Sequence, residues 1–309
     1  MKKILTIIGP TAAGKTDLAV KIADKLNGEI IGLDSRQIYK QMEIGTAQPS
    51  FEDRQGITHH LIGYRDPWEA ISAGEYAKLV IKHVGQILKA GKVPIICGGA
   101  GLYYRAITQG IFADSHSDIE LRKKIENLYE KDPQSLISRL QSIDPEYARI
   151  VHINNKKRLV RALEIFELTG SPPTKHFKDQ ESSKLSFLNV YTVYLLLDKE
   201  VHLNKIKKRM NKMFEIGWIE EVKKILSFKK EKNIAIPALD SIGYKQIIEY
   251  LDNDINKVAL IENIVNKTKQ YARRQRNWFK NEKIDLSVDL TNLEKSDIHK
   301  TICDIYNII

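Results

Sequence analysis

Apolar residues fall in two alternating textures along the first hundred positions. Residues 3–8 form a short continuous apolar run, the signature of a buried strand, and Leu18, Ile22 and Leu26 then recur at helical spacing. Residues 29–33 read as a second buried strand ending at Asp34. Tyr76, Leu79, Val80, Val84, Ile87 and Leu88 form a stripe of period 3.6 that Gly91 stops. Residues 93–97 read as a third strand, followed by Gly98-Gly99-Ala100-Gly101 and a new helix start. Buried strands alternating with helices predict a parallel sheet covered on both faces.

The texture changes between residues 114 and 184. No buried strand is legible there, and short helical patterns break at Asp132-Pro133, Asp144-Pro145 and Gly170-Ser171-Pro172-Pro173. Residues 190–197 resume the strand pattern. Helices are expected over 200–214, 217–228, 243–251 and 255–281, with a last strand over 284–288. The predicted organisation is a core in two pieces, 1–113 and 185–309, interrupted by an all-helical insertion over 114–184. A length of 309 residues accommodates about two such domains.

Composition narrows the class. The two cysteines, Cys97 and Cys303, form no CxxC pair, which removes zinc ribbons and disulfide frames. The apolar run at the N-terminus is too short for a secretory leader. No stretch approaches about 20 apolar residues, so no membrane partner and a cytoplasmic location are expected. The net charge of +10 leaves a polyanionic partner open.

One motif carries chemistry by itself. Gly9-Pro10-Thr11-Ala12-Ala13-Gly14-Lys15-Thr16 matches G-x-x-x-x-G-K-[ST] between a strand and a helix. Backbone amides of such a loop curl around phosphate oxygens, Lys15 adds a point charge, and Thr16 is the expected Mg²⁺ ligand. The fold class is therefore α/β, a P-loop NTPase-like parallel sheet with a helical insertion domain. The motif points to a bound di- or triphosphate, not to the bond that breaks. The Asn-Lys-x-Asp base reader of a GTPase is missing. Asp198, just before a helix, reads as an N-cap. Asp34 ends a strand expected beside the P-loop, where α/β sheets bind ligands, and is a candidate Mg²⁺ ligand or general base.

The P-loop and a longer signature, Asp34-Ser-Arg-Gln-Ile-Tyr-Lys-Gln-Met-Glu-Ile-Gly-Thr-Ala-Gln-Pro49, together resemble the tRNA dimethylallyltransferases. The likeness continues through Gly98-Gly99-x-Gly101-Leu102-Tyr103, Arg158-Leu-Val-Arg161-Ala-Leu-Glu164, Ile242-Gly243-Tyr244-Lys245 and Tyr271-Ala-Arg273-Arg274-Gln275-x-x-Trp278-Phe279. It implies transfer of a dimethylallyl group from dimethylallyl diphosphate to N6 of adenosine 37, beside the anticodon, in tRNAs reading codons that begin with U. It also implies that the P-loop holds the diphosphate with Mg²⁺, that Asp34 accepts the N6 proton, and that Arg209 contacts the diphosphate. Asp34, Ser35, Arg36 and Gln37 would touch the flipped base. Ala100, Arg122, Lys157, Arg158, Leu159, Val160 and Arg161 correspond to further contacts with the anticodon stem-loop, the insertion serving as an RNA clamp. The enzyme is expected to act as a monomer.

The last long helix adds support of its own. Ile261, Ile264, Val265, Thr268, Ala272, Gln275 and Phe279 make its core-facing stripe, while Lys269, Arg273, Arg276 and Lys280 project on an adjacent face near Tyr271 and Trp278. A one-sided basic row with aromatics suits an RNA backbone. Some positions depart from the family: Ala100 stands where threonine is usual, and His152-Ile153-Asn154-Asn155 replaces His-Pro-Asn-Asp. Three other readings stay open: an adenylate isopentenyltransferase making free cytokinin, a small-molecule P-loop kinase, and a non-catalytic RNA-binding relative.

Overall fold

The computed structural model describes residues 3–110, 118–182, 188–252, 256–291 and 295–308. The strands are β1 (Ile4–Ile8), β2 (Gly28–Leu33), β3 (His59–His60), β4 (Val93–Gly98), β5 (Val190–Leu196) and β6 (Leu286–Asp289). All pair in parallel, in the order β3-β2-β4-β1-β5-β6. β1 lies between β4 and β5, with Leu5 opposite Ile95 on one side and Tyr191 on the other. All five β1 side chains are buried, as a strand covered on both faces requires.

The elements not anticipated include β3 and the last helix. β3 has two residues, too few for any periodicity, and exists because His59 and His60 pair with Ile30 and Ile31. The helix Lys295–Ile308 places Ile298, Ile302, Cys303 and Tyr306 in the same core cluster as Leu18 and Ile22 of the P-loop helix. Its apolar residues do recur at spacings of four, so the signal was present.

The chain forms two compact units, Met1–Thr108 with Leu188–Ile309, and Gln109–Phe187. The boundaries expected at 113/114 and 184/185 lie outside the described residues. The second unit contains the helices Ile119–Lys131, Pro133–Ile143, Pro145–Ala148, Lys156–Thr169 and Pro173–Ser182, and no strand among its described residues. Asp132 and Asp144 cap helices whose first residue is proline, where a missing N–H costs nothing. Leu136, Leu140, Leu159, Val160 and Leu163 build its own core.

Candidate phosphate and acceptor site

β1 runs into the P-loop, and the loop runs into the helix Lys15–Leu26. Gly14 sits at φ 89° as its N-cap, a left-handed conformation suited to glycine, and offers no side-chain cap. Elsewhere Ser72, Asp118, Asn155 and Asn256 cap their helices with side chains. The P-loop helix thus keeps its first amides and its partial positive charge for an anion.

Two cations converge on this loop. Lys15 Nζ donates to Pro10 O at 2.8 Å, and Arg209 Nη2 donates to Thr11 Oγ1 at 2.6 Å. Burial lowers Lys15 to about 8; the nearby Asp34 charge opposes that shift and Arg209 adds to it. Burial likewise lowers Arg209 to about 10, again opposed by Asp34, so it stays charged at neutral pH. Arg209 Nε is buried without a hydrogen-bond partner. Two desolvated cations, one carrying an orphaned donor, lie at the start of the P-loop helix, an arrangement suited to an anion.

Asp34 follows β2 at the same edge of the sheet. Its Oδ1 accepts from the amides of Arg36 (2.8 Å) and Gln37 (3.3 Å), which orients the carboxyl group and leaves Oδ2 clear of these backbone bonds. Burial raises the phenol of Tyr271, and the charge of Asp34 raises it further. Between the two strand ends, Gly99 permits a close approach. A Cβ there would lie 2.4 Å from Gln275 Nε2 and 2.9 Å from Gly9 O.

Other predicted site residues are placed more variously. Gln37 spends its side-chain amide on Thr46 O (3.2 Å) and Ala47 O (2.7 Å), clasping the signature loop. Arg36 reaches Asp240 O at 3.4 Å, and Ser35 is half-buried beside it. The Ala100 amide donates to Leu33 O, with its methyl group buried. Asp198 caps the helix Lys199–Glu215 as expected, accepting from Glu200 and Val201 amides.

In the helical unit, Lys157 and Arg158 are exposed. Leu159 and Val160 are not available as RNA contacts through their side chains, which are 0% and 2% exposed in the core. The helical period turns these two positions inward. Arg122 Nη2 and Arg161 Nη1 both bind Glu164 Oε2, at 2.8 and 2.7 Å. Burial of Glu164 works against its charge, but the two guanidinium groups outweigh it and hold the carboxyl below its usual range.

On the long helix Lys257–Phe279, Lys269 and Arg273 are exposed, as is Lys280 just beyond it. Arg276 is half-buried and donates from Nη1 to His202 Nδ1 at 2.7 Å, so the expected basic row is interrupted. The Trp278 ring already carries the Arg105 guanidinium at 4.7 Å. Gln275, placed on the core-facing stripe by its spacing, joins two loops: Oε1 accepts from Thr11 N at 2.8 Å and Nε2 donates to Gly99 O at 2.9 Å. Of the expected diphosphate-binding residues, Thr11 therefore has its amide and hydroxyl already engaged by protein. Sequence reasoning missed His202 and the partners of Gln275. A polar residue on an apolar stripe was the available signal, because burial obliges it to find partners.

The model for IPP transferases matches residues 37–282 of the chain. A tRNA dimethylallyltransferase of Acetivibrio thermocellus is 39% identical over 282 residues, covering 91% of this chain and 89% of the relative. One of Thermotoga neapolitana is 38% identical over 98% of this chain and 97% of its own length. Among solved structures, the full-length tRNA isopentenylpyrophosphate transferase of Bacillus halodurans aligns with a TM-score of 0.70 at 33% identity, covering 100% of this chain and 95% of that one. A eukaryotic dimethylallyltransferase acting on tRNA aligns with a TM-score of 0.82 at 27% identity, covering 99% of this chain and 78% of that one. The family match lies wholly beyond the phosphate loop and takes in the helix that carries Gln275, and with relatives 38–39% identical over more than nine tenths of its length the chain belongs to the IPP transferase family.

Proposed function

We propose that this protein transfers the dimethylallyl group of dimethylallyl diphosphate to N6 of adenosine 37 in tRNA, releasing diphosphate. One observation carries the chemistry: an anion site and a free carboxylate oxygen share one edge of the sheet, at the ends of β1 and β2. The names borne by the relatives support the substrates.

In this reading the adenosine is flipped from the anticodon loop to reach the buried donor. The N6 amine attacks the allylic carbon, an N–C bond forms, and the C–O bond to diphosphate breaks with its electron pair. Lys15, Arg209 and the amides at the start of the P-loop helix stabilise the charge that grows on the leaving oxygen. Asp34 Oδ2 accepts the proton released by N6, its carboxyl group held by the Arg36 and Gln37 amides.

The residues fit Mg²⁺ brought in with the diphosphate. Among the described residues no three His, Cys, Asp or Glu side chains gather into a metal cage. Mg²⁺ in such sites takes few protein ligands and completes its shell with phosphate oxygens and water. Thr16, in the first turn of the P-loop helix, would hold it, and when bound it neutralises charge on the leaving group. The enzyme is proposed to act as a monomer in the cytoplasm. No described helix is long and apolar enough to cross a membrane.

The test is transfer from labelled dimethylallyl diphosphate to tRNA, to AMP, or to neither. Label in tRNA that digests to N6-dimethylallyladenosine supports the reading. Label in AMP alone converts the protein to a free-nucleotide enzyme, and label in neither removes the transferase reading.

A further inference from the structure

Thr11 is gripped from three directions by residues far away in the chain. Its amide donates to Gln275 Oε1 (2.8 Å), its carbonyl lies 2.7 Å from His202 Nε2, and its hydroxyl accepts from Arg209 Nη2. A carbonyl only accepts, so Nε2 of His202 carries the proton. The Arg276 guanidinium only donates, so Nδ1 of His202 is the acceptor in their 2.7 Å contact. The imidazole is therefore neutral, with one defined tautomer. Its burial and the neighbouring charges of Arg276, Lys15 and Arg209 favour that form, against the Thr11 carbonyl, which favours the protonated one.

Peptide planarity makes these contacts consequential. In a trans peptide, C=O and N–H point to opposite edges of one plane. Holding the Thr11 carbonyl on His202 sends the Ala12 N–H the other way. Holding the Thr11 N–H on Gln275 sends the Pro10 carbonyl the other way, where it accepts from Lys15 Nζ at 2.8 Å. Ala12 itself sits at φ 61°, a left-handed conformation that a non-glycine residue keeps only when its surroundings enforce it. The two peptides that lead into the loop are thus oriented by side chains from the helices Lys199–Glu215 and Lys257–Phe279.

We propose that Arg276 and His202, together with Gln275, are positioning residues of the diphosphate site, and that Arg276 serves the P-loop rather than the RNA backbone. This inference rests on the transferase reading for its substrate but concerns diphosphate binding alone. It separates Arg276 from Arg273, which lies three residues earlier on the same helix and is exposed.

The experiment measures two quantities on wild type, Arg276→Ala, His202→Ala and Arg273→Ala: calorimetric affinity for Mg²⁺-pyrophosphate at pH 7.5, and the salt dependence of tRNA binding. Losing one anchoring hydrogen bond predicts pyrophosphate binding about five- to tenfold weaker in Arg276→Ala and His202→Ala, with the wild-type salt slope retained. His202→Ala changes no charge, so a weakening there is not a through-space effect. Arg273→Ala should show the converse, normal pyrophosphate affinity and a salt slope reduced by about one. Arg276→Lys, which keeps a donor for His202 Nδ1, should recover much of the affinity, and Arg276→Met, which keeps the aliphatic stem but no donor, replaces Arg276→Ala should that variant not fold. Unaltered pyrophosphate affinity in both the Arg276 and His202 variants overturns the proposal, as does a reduced salt slope in Arg276→Ala with normal pyrophosphate binding. If wild type binds pyrophosphate and the variants weaken it while no transfer occurs, the transferase reading fails and the positioning role stands.

Discussion

The charge of Lys15 should make donor binding depend steeply on alkaline pH. In the free protein its ammonium group titrates at about 8, chiefly because it is buried. A diphosphate seated against it favours the charged form and raises its pKa. Below pH 8 both states are protonated and affinity is flat. Above pH 8 the free protein must take up a proton to bind, and affinity falls by up to tenfold per pH unit until the complex titrates in turn. Between pH 8 and pH 9.5 the loss reaches at most about thirtyfold by that linkage. The assay is equilibrium binding of dimethylallyl diphosphate with Mg²⁺ and no tRNA, so that no turnover occurs. Lys15→Arg serves as the internal control, because a guanidinium group stays charged throughout and its profile should be flat even if its affinity is lower. A wild-type profile that is flat from pH 7 to 9.5, or one that Lys15→Arg reproduces, refutes the link between this lysine and the diphosphate.

Asp34→Asn should bind both substrates and lose about 10²–10⁴-fold in single-turnover rate, the usual cost of removing a general base; normal chemistry with lost tRNA binding would make Asp34 a contact instead. Ala100→Thr restores the residue usual in the family and should raise kcat with little change in tRNA affinity, as a transition-state interaction does; a lower kcat means that the buried methyl site has no room for a hydroxyl. Glu164→Ala removes the buried partner of two partly exposed guanidinium groups, which can turn to water, and should destabilise the helical unit by about 1–3 kcal/mol in chemical denaturation. Because the Glu164 carboxyl titrates lower folded than unfolded, its contribution is present above about pH 4.5 and fades as pH falls through the folded value. A wild type that loses no more stability in acid than Glu164→Ala does would contradict this.

Local patterns were enough for the scaffold and for half of the site. Continuous apolar runs identify β1, β2, β4 and β5, because strands covered on both faces have no polar side. The P-loop is legible because its function rests on consecutive backbone amides, and Asp198 is legible as a cap because its partners lie two and three residues ahead. The polarity of residues outside such local motifs is ambiguous by itself. Arg122, Arg161, Arg273 and Arg276 are the same residue type in a basic chain, yet two share a buried glutamate, one is exposed and one orients a histidine. Leu159 and Val160, expected as RNA contacts, face inward. Gln275 and Thr11 are 264 positions apart, and no period or propensity connects them. The sequence determined which segments are strands, helices and phosphate loop, since hydrophobic burial and backbone hydrogen bonding are decided within a few residues. Only the tertiary structure decided which cation meets an anion within the protein and which is left for a ligand, because a buried polar group takes its role from the partner that the fold brings to it.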